Sequence, residues 1–232
     1  MKNLFIILTF CLAVVPSFAQ KFINKTVSWS QGQTVNIKLH YGDSIRVRYW
    51  DKPEISFDVS GMINGGRFNE AVLISSDVVN GEVNIRQTFD QMLLKRGKAE
   101  DCPGQNAGWS KDGKEGRQYV CMQLYYEIYL PQEASLKLET IKGDITVEGA
   151  TSGVFAKTVT GFIDMTWPKT KGADVTLMTV SGELYTDLDI SFNNRNFTNL
   201  PTGYPLKGTA NGGGSIINLQ TVGSNVYLRK RD

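Results

Sequence analysis

Three kinds of side chain in this 232-residue sequence could do chemistry: recurring carboxylates, scattered aromatics and a pair of cysteines. Asp144, Asp164 and Glu183 each follow closely on a glycine. If the segments carrying them stack in register, Asp144, Phe162 and Glu183 form one row. Thr146, Asp164 and Tyr185 form a second, and Glu148, Thr166 and Asp187 a third. Carboxylates in such rows could serve as acid and base in cleaving a polysaccharide, or could ligate calcium. The plainer role is to keep an exposed sheet soluble. Two features favour it: the calcium-binding pattern Gly-Gly-x-Gly-x-Asp is absent, and the chain is short for a β-helical enzyme that also needs substrate-binding loops.

His40 is the only histidine, which leaves His-based metal sites and Ser-His-acid triads little to work with. It reads as a strand-end residue beside a turn at Tyr41, Gly42 and Asp43. No catalytic residue, metal ligand set or cofactor is assigned. The aromatics are the other candidates, because Trp and Tyr carry much of the contact energy at interfaces, although most of them are expected to be core or edge cover. They are Trp109, Trp167, Tyr185, Phe192, Phe197, Tyr204 and Tyr227. The candidate binding surface is Trp109, Asp164, Trp167, Tyr185 and Tyr227.

These residues need a scaffold, and the sequence supplies one from Leu138 to its end. A short phrase recurs, made of Thr, two residues, Gly, one residue and then an alternating strand. It starts at Thr140, Thr158 and Thr179, with a looser copy at Thr209 and a last one at Thr221, where Ser224 replaces the glycine. Gly143, Gly161 and Gly182 are expected to be turn glycines, where the chain reverses with φ > 0. Alternation then sends Ile145 and Val147, Ile163 and Met165, Leu184 and Thr186, and Val226 and Leu228 inward. One such unit cannot stand alone, so stability must come from strand pairing between neighbours, as in repeat folds. The fold class is therefore all-β: a β-solenoid or β-helix-like repeat in the C-terminal half, over residues 131–232. The insert from Ser191 to Gly203 reads as a protruding loop.

Residues 1–19 read as a secretory signal peptide, with Lys2, an apolar run and a small-residue site ending at Ala19. The apolar run is too short to span a bilayer. Cys11 lies too early to be a lipid-attachment cysteine. No other stretch is long and apolar enough to cross, so no transmembrane segment is expected in the mature chain. Removing 19 of the 232 residues leaves 213, with 24 basic against 23 acidic side chains, which gives no reason to expect nucleic acid. Cys102 and Cys121 are then the only cysteines of an exported chain, and a disulfide is the default expectation. Residues 20–130 read as a β-rich N-terminal region of wider coils or a sandwich-like cap. Within it lies a polar excursion over 90–119 tied back by that disulfide.

The chain resembles a bacterial envelope family known as putative adhesins, a domain of unknown function built of β-strand repeats. The resemblance rests on the exported start and on Gly42 to Phe57. It continues through Ile128 to Gly149, with its Leu138-to-Val147 phrase, and the closing Val226-Tyr-Leu-Arg-Lys. It implies a non-enzymatic, exported protein of the periplasm or cell surface of a Gram-negative-type bacterium, with polysaccharide or another envelope protein as partner. The alternative is a small β-helical polysaccharide lyase or hydrolase using Asp144, Asp164 and Glu183. Oligomeric state has no signature in the sequence.

Overall fold

A computed structural model describes residues 21–104, 108–109, 118–193 and 203–232. The signal-peptide reading at 1–19 and Phe197 lie outside the described residues. In chain order the first strands are β1 (Lys21–Ser28), β2 (Thr34–Trp50), β3 (Glu54–Ile63), β4 (Val72–Val79) and β5 (Glu82–Phe89). Two-residue strands β6 (Gly108–Trp109) and β7 (Gln118–Tyr119) follow, then β8 (Met122–Pro131) and β9 (Ser135–Glu148). The remainder are β10 (Val154–Lys157), β11 (Ile163–Pro168), β12 (Ala173–Met178), β13 (Leu184–Thr186) and β14 (Ile190–Phe192). The chain closes with β15 (Leu206–Ala210), β16 (Ser215–Gln220) and β17 (Val226–Arg231). The fold is all-β, and fifteen of these strands join one sheet that does not close on itself.

The long strands β2 and β9 each belong to two runs of that sheet. Their first halves pair in parallel, Val35 with Leu136 and Ile37 with Leu138, and their second halves pair Ile45 with Ile145 and Val47 with Val147. The register shifts between Tyr41 and Ser44, at the corner separating the halves. The first run continues from β9 through β10, β16, β12, β15 and β14, with β5 and β4 on its other side. The second runs from β1 through β3, β8, β2 and β9 to β11, β17 and β13. Inward side chains of both runs belong to one hydrophobic cluster. It includes Ile37, Leu138, Ala156 and Val175 from the first run and Ile45, Ile145, Ile163 and Leu228 from the second. The regions read at 20–130 and 131–232 thus share a core.

The recurring phrase has a physical role at the corners. Thr158 Oγ1 donates to the Gly143 carbonyl at 3.1 Å, Thr221 Oγ1 to the Gly161 carbonyl at 2.8 Å, and Thr179 Oγ1 to the Ser224 carbonyl at 2.6 Å. Each threonine therefore latches onto the glycine position of the neighbouring copy. The glycines are needed where backbones close up: a Cβ on Gly161 (φ 136°) would lie 2.2 Å from the Gly143 oxygen. One on Gly182 would lie 1.9 Å from the Ser224 oxygen. Gly182 lacks a positive φ, so close approach rather than turn geometry demands it.

The order of copies differs from chain order. The latches and the pairing of β17 with both β11 and β13 place the last copy between the second and third. The looser copy at Thr209 is no copy; it lies in β15, which runs antiparallel to β12, with Thr209 opposite Asp174. Of the expected inward set, Thr186 is exposed and Leu184 is half-buried, because β13 is the three-residue outer strand of its run. The insert begins as strand rather than loop, since β14 pairs with β15 from Ile190 to Phe192.

The excursion after β5 opens with one helical turn, Gln91–Leu94, capped by Asp90, whose carboxylate accepts from the Met92 and Leu93 amides. The Cys102–Cys121 disulfide ties it back, with the Cα atoms 5.8 Å apart. Asn64 reinforces the join, donating to the Tyr119 carbonyl at 2.9 Å and accepting from the Cys121 amide at 3.0 Å.

Candidate functional site

Alternation along the second run fixes what its outer surface presents. Because Ile163 and Met165 point into the core, Asp164 points out, and so do Tyr227 between Val226 and Leu228 and Tyr185 after Leu184. The register aligns them across neighbouring strands, Thr146 with Asp164, Asp164 with Tyr227 and Tyr227 with Tyr185. The sequence-derived row of Thr146, Asp164 and Tyr185 therefore exists, with Tyr227 as an added member from the intercalated β17. The neighbouring rows gain Asn225 and Arg229 in the same way.

Three of the five surface candidates, Asp164, Tyr185 and Tyr227, come together here. The Tyr185 and Tyr227 rings stack at 5.0 Å between centroids and 7° between planes, and Phe162 meets Tyr227 edge-on at 6.4 Å. The Arg229 guanidinium lies 4.9 Å from the Tyr227 ring centre, while its Nε donates to both Asp164 oxygens, at 2.9 and 3.0 Å. That contact with Asp164 raises the Arg229 pKa. Asn225 donates to the Tyr227 hydroxyl at 2.9 Å and accepts from the Glu183 amide, also at 2.9 Å. The Glu183 carboxylate takes the Tyr185 hydroxyl hydrogen bond, which raises the Tyr185 pKa.

The remaining candidates lie elsewhere. Trp167 is fully buried, its Nε1 donating to the Lys171 carbonyl at 3.0 Å, so it is a core residue and not part of a binding surface. The alternation that sends Ile163 and Met165 inward sends Trp167 with them. Trp109 occupies β6, opposite Gln118 of β7, and its side chain lies outside the described residues. His40 is exposed at the corner of β2, its Nδ1 3.0 Å from the Gln87 carbonyl oxygen.

Sequence reasoning missed a second group on this surface. Glu127 bonds Arg46 at 3.1 Å and Arg48 at 3.4 Å, and Arg48 bonds Glu148 at 3.1 Å. Trp50 stacks on Tyr129 at 5.0 Å, with the Lys52 ammonium 4.7 Å from the Trp50 ring. The signal was present, since Arg46, Arg48 and Trp50 alternate with the buried Ile45 and Val47.

The three acids considered for catalysis are all engaged: Asp164 by Arg229, Glu183 by Tyr185, and Asp144 by the Phe162 amide at 3.1 Å. Among the described residues no three His, Cys, Asp or Glu side chains gather to hold a metal ion. No described helix is long and apolar enough to cross a membrane. Chemically, the site offers a rigid aromatic slab rimmed by a cation, an amide and carboxylates.

No family model and no curated protein matches the chain. Among solved structures, a putative cell adhesion protein from Clostridium sporogenes is similar at a TM-score of 0.55 and 10% identity. The match covers 92% of this chain and 100% of that one, so the two share a fold. A putative adhesin from Bacteroides fragilis matches over 91% of this chain and 98% of its own at 10% identity. Its TM-score of 0.23 is too low to carry an argument about fold.

Proposed function

We propose that this chain is a non-enzymatic, exported envelope protein. It is built as a β-solenoid rod that binds polysaccharide through the Tyr185–Tyr227 slab. The single observation that carries the binding assignment is the stacked tyrosine pair in register with Asp164 and Arg229. Sugar rings present apolar C–H faces that pack on aromatic rings and hydroxyls that pair with amide, guanidinium and carboxylate groups. Export is supported by the disulfide, a bond that persists in oxidising compartments. The solenoid is supported by the threonine latches and by the parallel pairing of β9, β11, β17 and β13. The adhesion name carried by the structure of shared fold points the same way.

The test is retention of the purified protein on a panel of insoluble neutral and acidic polysaccharides. Retention on at least one polymer is expected. The double variant Tyr185→Ala/Tyr227→Ala should lose it at least tenfold, the effect of about 1–2 kcal/mol per aromatic contact. A native protein that stays off every polymer removes the glycan assignment. Turnover of any of them, abolished by Asp164→Asn, removes the non-enzymatic one.

A further inference from the structure

The phrase Thr-x-x-Gly has a second constant feature that the fold leaves unexplained. The residue after each threonine is β-branched and apolar, yet it faces solvent. Ile141 is 56% exposed, Val159 40%, Val180 37% and Val222 36%. Backbone bonds set them side by side along the corner: the Thr160 amide reaches the Ile141 carbonyl at 2.9 Å, the Gly223 amide the Val159 carbonyl at 3.0 Å, and the Ser181 amide the Val222 carbonyl at 2.8 Å. The result is an aliphatic rail whose members repeat at the strand spacing of about 4.8 Å. Buried threonines on the inner side of the same corner do the structural work. Contiguous exposed apolar surface marks an interaction site.

A second row runs beside the first half of the rail, where Glu139 and Lys157 lie two residues before Ile141 and Val159, and continues beyond it onto two further strands. Arg86 pairs in register with Lys38, Lys38 with Glu139, and Glu139 with Lys157. A groove of about 370 Å³ is lined by Lys38, Arg86, Glu139, Lys157, Ile141 and Val159 among others. The row is cationic on balance. Its one carboxylate, Glu139, bonds Lys137 at 3.6 Å, and Arg86 is held by Asp77. Lys38 and Lys157 have no ion-pair or hydrogen-bond partner among the described residues.

We infer that this corner docks an extended acidic segment of a protein partner, one in which acidic and aliphatic residues alternate. An extended chain lying along the groove sends successive side chains to opposite sides. One set then meets Arg86, Lys38 and Lys157, and the other meets Ile141 and Val159, the rail members that line the groove. A glycan fits less well, because the rail has no aromatic face and gains most from other aliphatic groups. The surface is distinct from the tyrosine slab, which belongs to the other run of the sheet.

The experiment is fluorescence anisotropy of the full mature protein with labelled twelve-residue peptides. The probe alternates Asp and Val, and the controls alternate Ser and Val, or Asp and Gly. Binding of the Asp-Val peptide at least tenfold tighter than either control is expected. Val159→Asp and, separately, Lys38→Glu/Lys157→Glu should each weaken it at least tenfold, with the melting temperature unchanged. Tyr185→Ala/Tyr227→Ala should leave it intact, so failure of the glycan assignment does not touch this one. Three results overturn it: no binding, equal binding of the Asp-Gly peptide or of polygalacturonate, or indifference to Val159→Asp.

Discussion

The corners of the N-terminal and C-terminal regions solve the same problem with different chemistry. In both, a strand turns out of one run of the sheet into the other, leaving buried backbone groups that need partners. At the β2 corner the partners come from long side chains far away in sequence. The Gln87 side chain accepts from the His40 and Tyr41 amides at 2.8 and 3.0 Å and donates to the Tyr41 carbonyl at 3.0 Å. The Tyr126 hydroxyl also bonds that carbonyl, at 3.0 Å, and burial raises the Tyr126 pKa. At the corners after β9 each partner is one threonine hydroxyl of the next copy. A short repeated latch suffices where every neighbour is alike; a unique corner needs its own network. The repeated latch, however, tolerates no extra volume.

That intolerance gives the largest expected effect. Gly161→Ala places a methyl 2.2 Å from a backbone oxygen at a φ that L-residues rarely adopt, so one strand must move. A cost of about 3–4 kcal/mol is expected, read as a drop in Tm of roughly 10 °C by calorimetry. Gly81→Ala, with nothing within 4 Å of its Cβ, isolates the backbone term at φ 78° and should cost about 1 kcal/mol. Equal losses would show that crowding at the corner is not the constraint.

Next comes the disulfide. Cys102→Ser/Cys121→Ser removes a closure of 19 residues and should cost about 3 kcal/mol. Because the disulfide and Asn64 join the excursion to the N-terminal region, its release should open Gln91 to Cys102 to protease before the C-terminal strands yield. Simultaneous cleavage in both regions would mean that they do not differ in local stability.

The latch itself ranks third. Thr158 is fully buried and its hydroxyl lies 3.1 Å from the Gly143 oxygen and 3.2 Å from the Thr160 oxygen. Thr158→Val keeps the shape and removes the donor, which should cost about 1–2 kcal/mol by denaturant unfolding. The matching change at the exposed Thr160 should be near neutral. No loss at Thr158 would reduce the recurring threonine to a matter of packing.

This contrast also explains what the sequence reveals. Ile145, Ile163 and Val226 are legible as core because their alternation has period two and each follows a turn. Trp167 continues that alternation and was legible on the same grounds, although the contact energy that Trp carries at interfaces suggested a surface role. The position of the last copy was not legible. A strand's own pattern fixes which side faces inward but not which neighbour it pairs with, and β17 occupies the slot between β11 and β13 that chain order would leave closed. The Tyr185–Tyr227 stack depends on that intercalation, so only Asp164 and Tyr185 could be aligned from the sequence. The Gln87 network joins residues 39 to 47 apart through no motif at all.

The smallest expected effect concerns pH at the N-terminal excursion. The Asp101 carboxylate accepts from the Lys98 amide at 2.8 Å and from the Arg67 guanidinium at 2.9 Å, and these hold its pKa below the usual carboxylate range. A depressed folded-state pKa means that the interaction stabilises fully above the unfolded value of about 3.9 and fades as pH falls through the folded one. Amide protection around Lys98 to Cys102, corrected for intrinsic exchange, should therefore be level from neutrality to about pH 4 and fall below it. In Asp101→Asn the acid-side fall should vanish. The threonine latches contain no titratable group, so protection at Thr158 and Thr221 should stay flat over the same range. A parallel fall there would mean that acid loosens the molecule as a whole and that the two kinds of corner are not independently held.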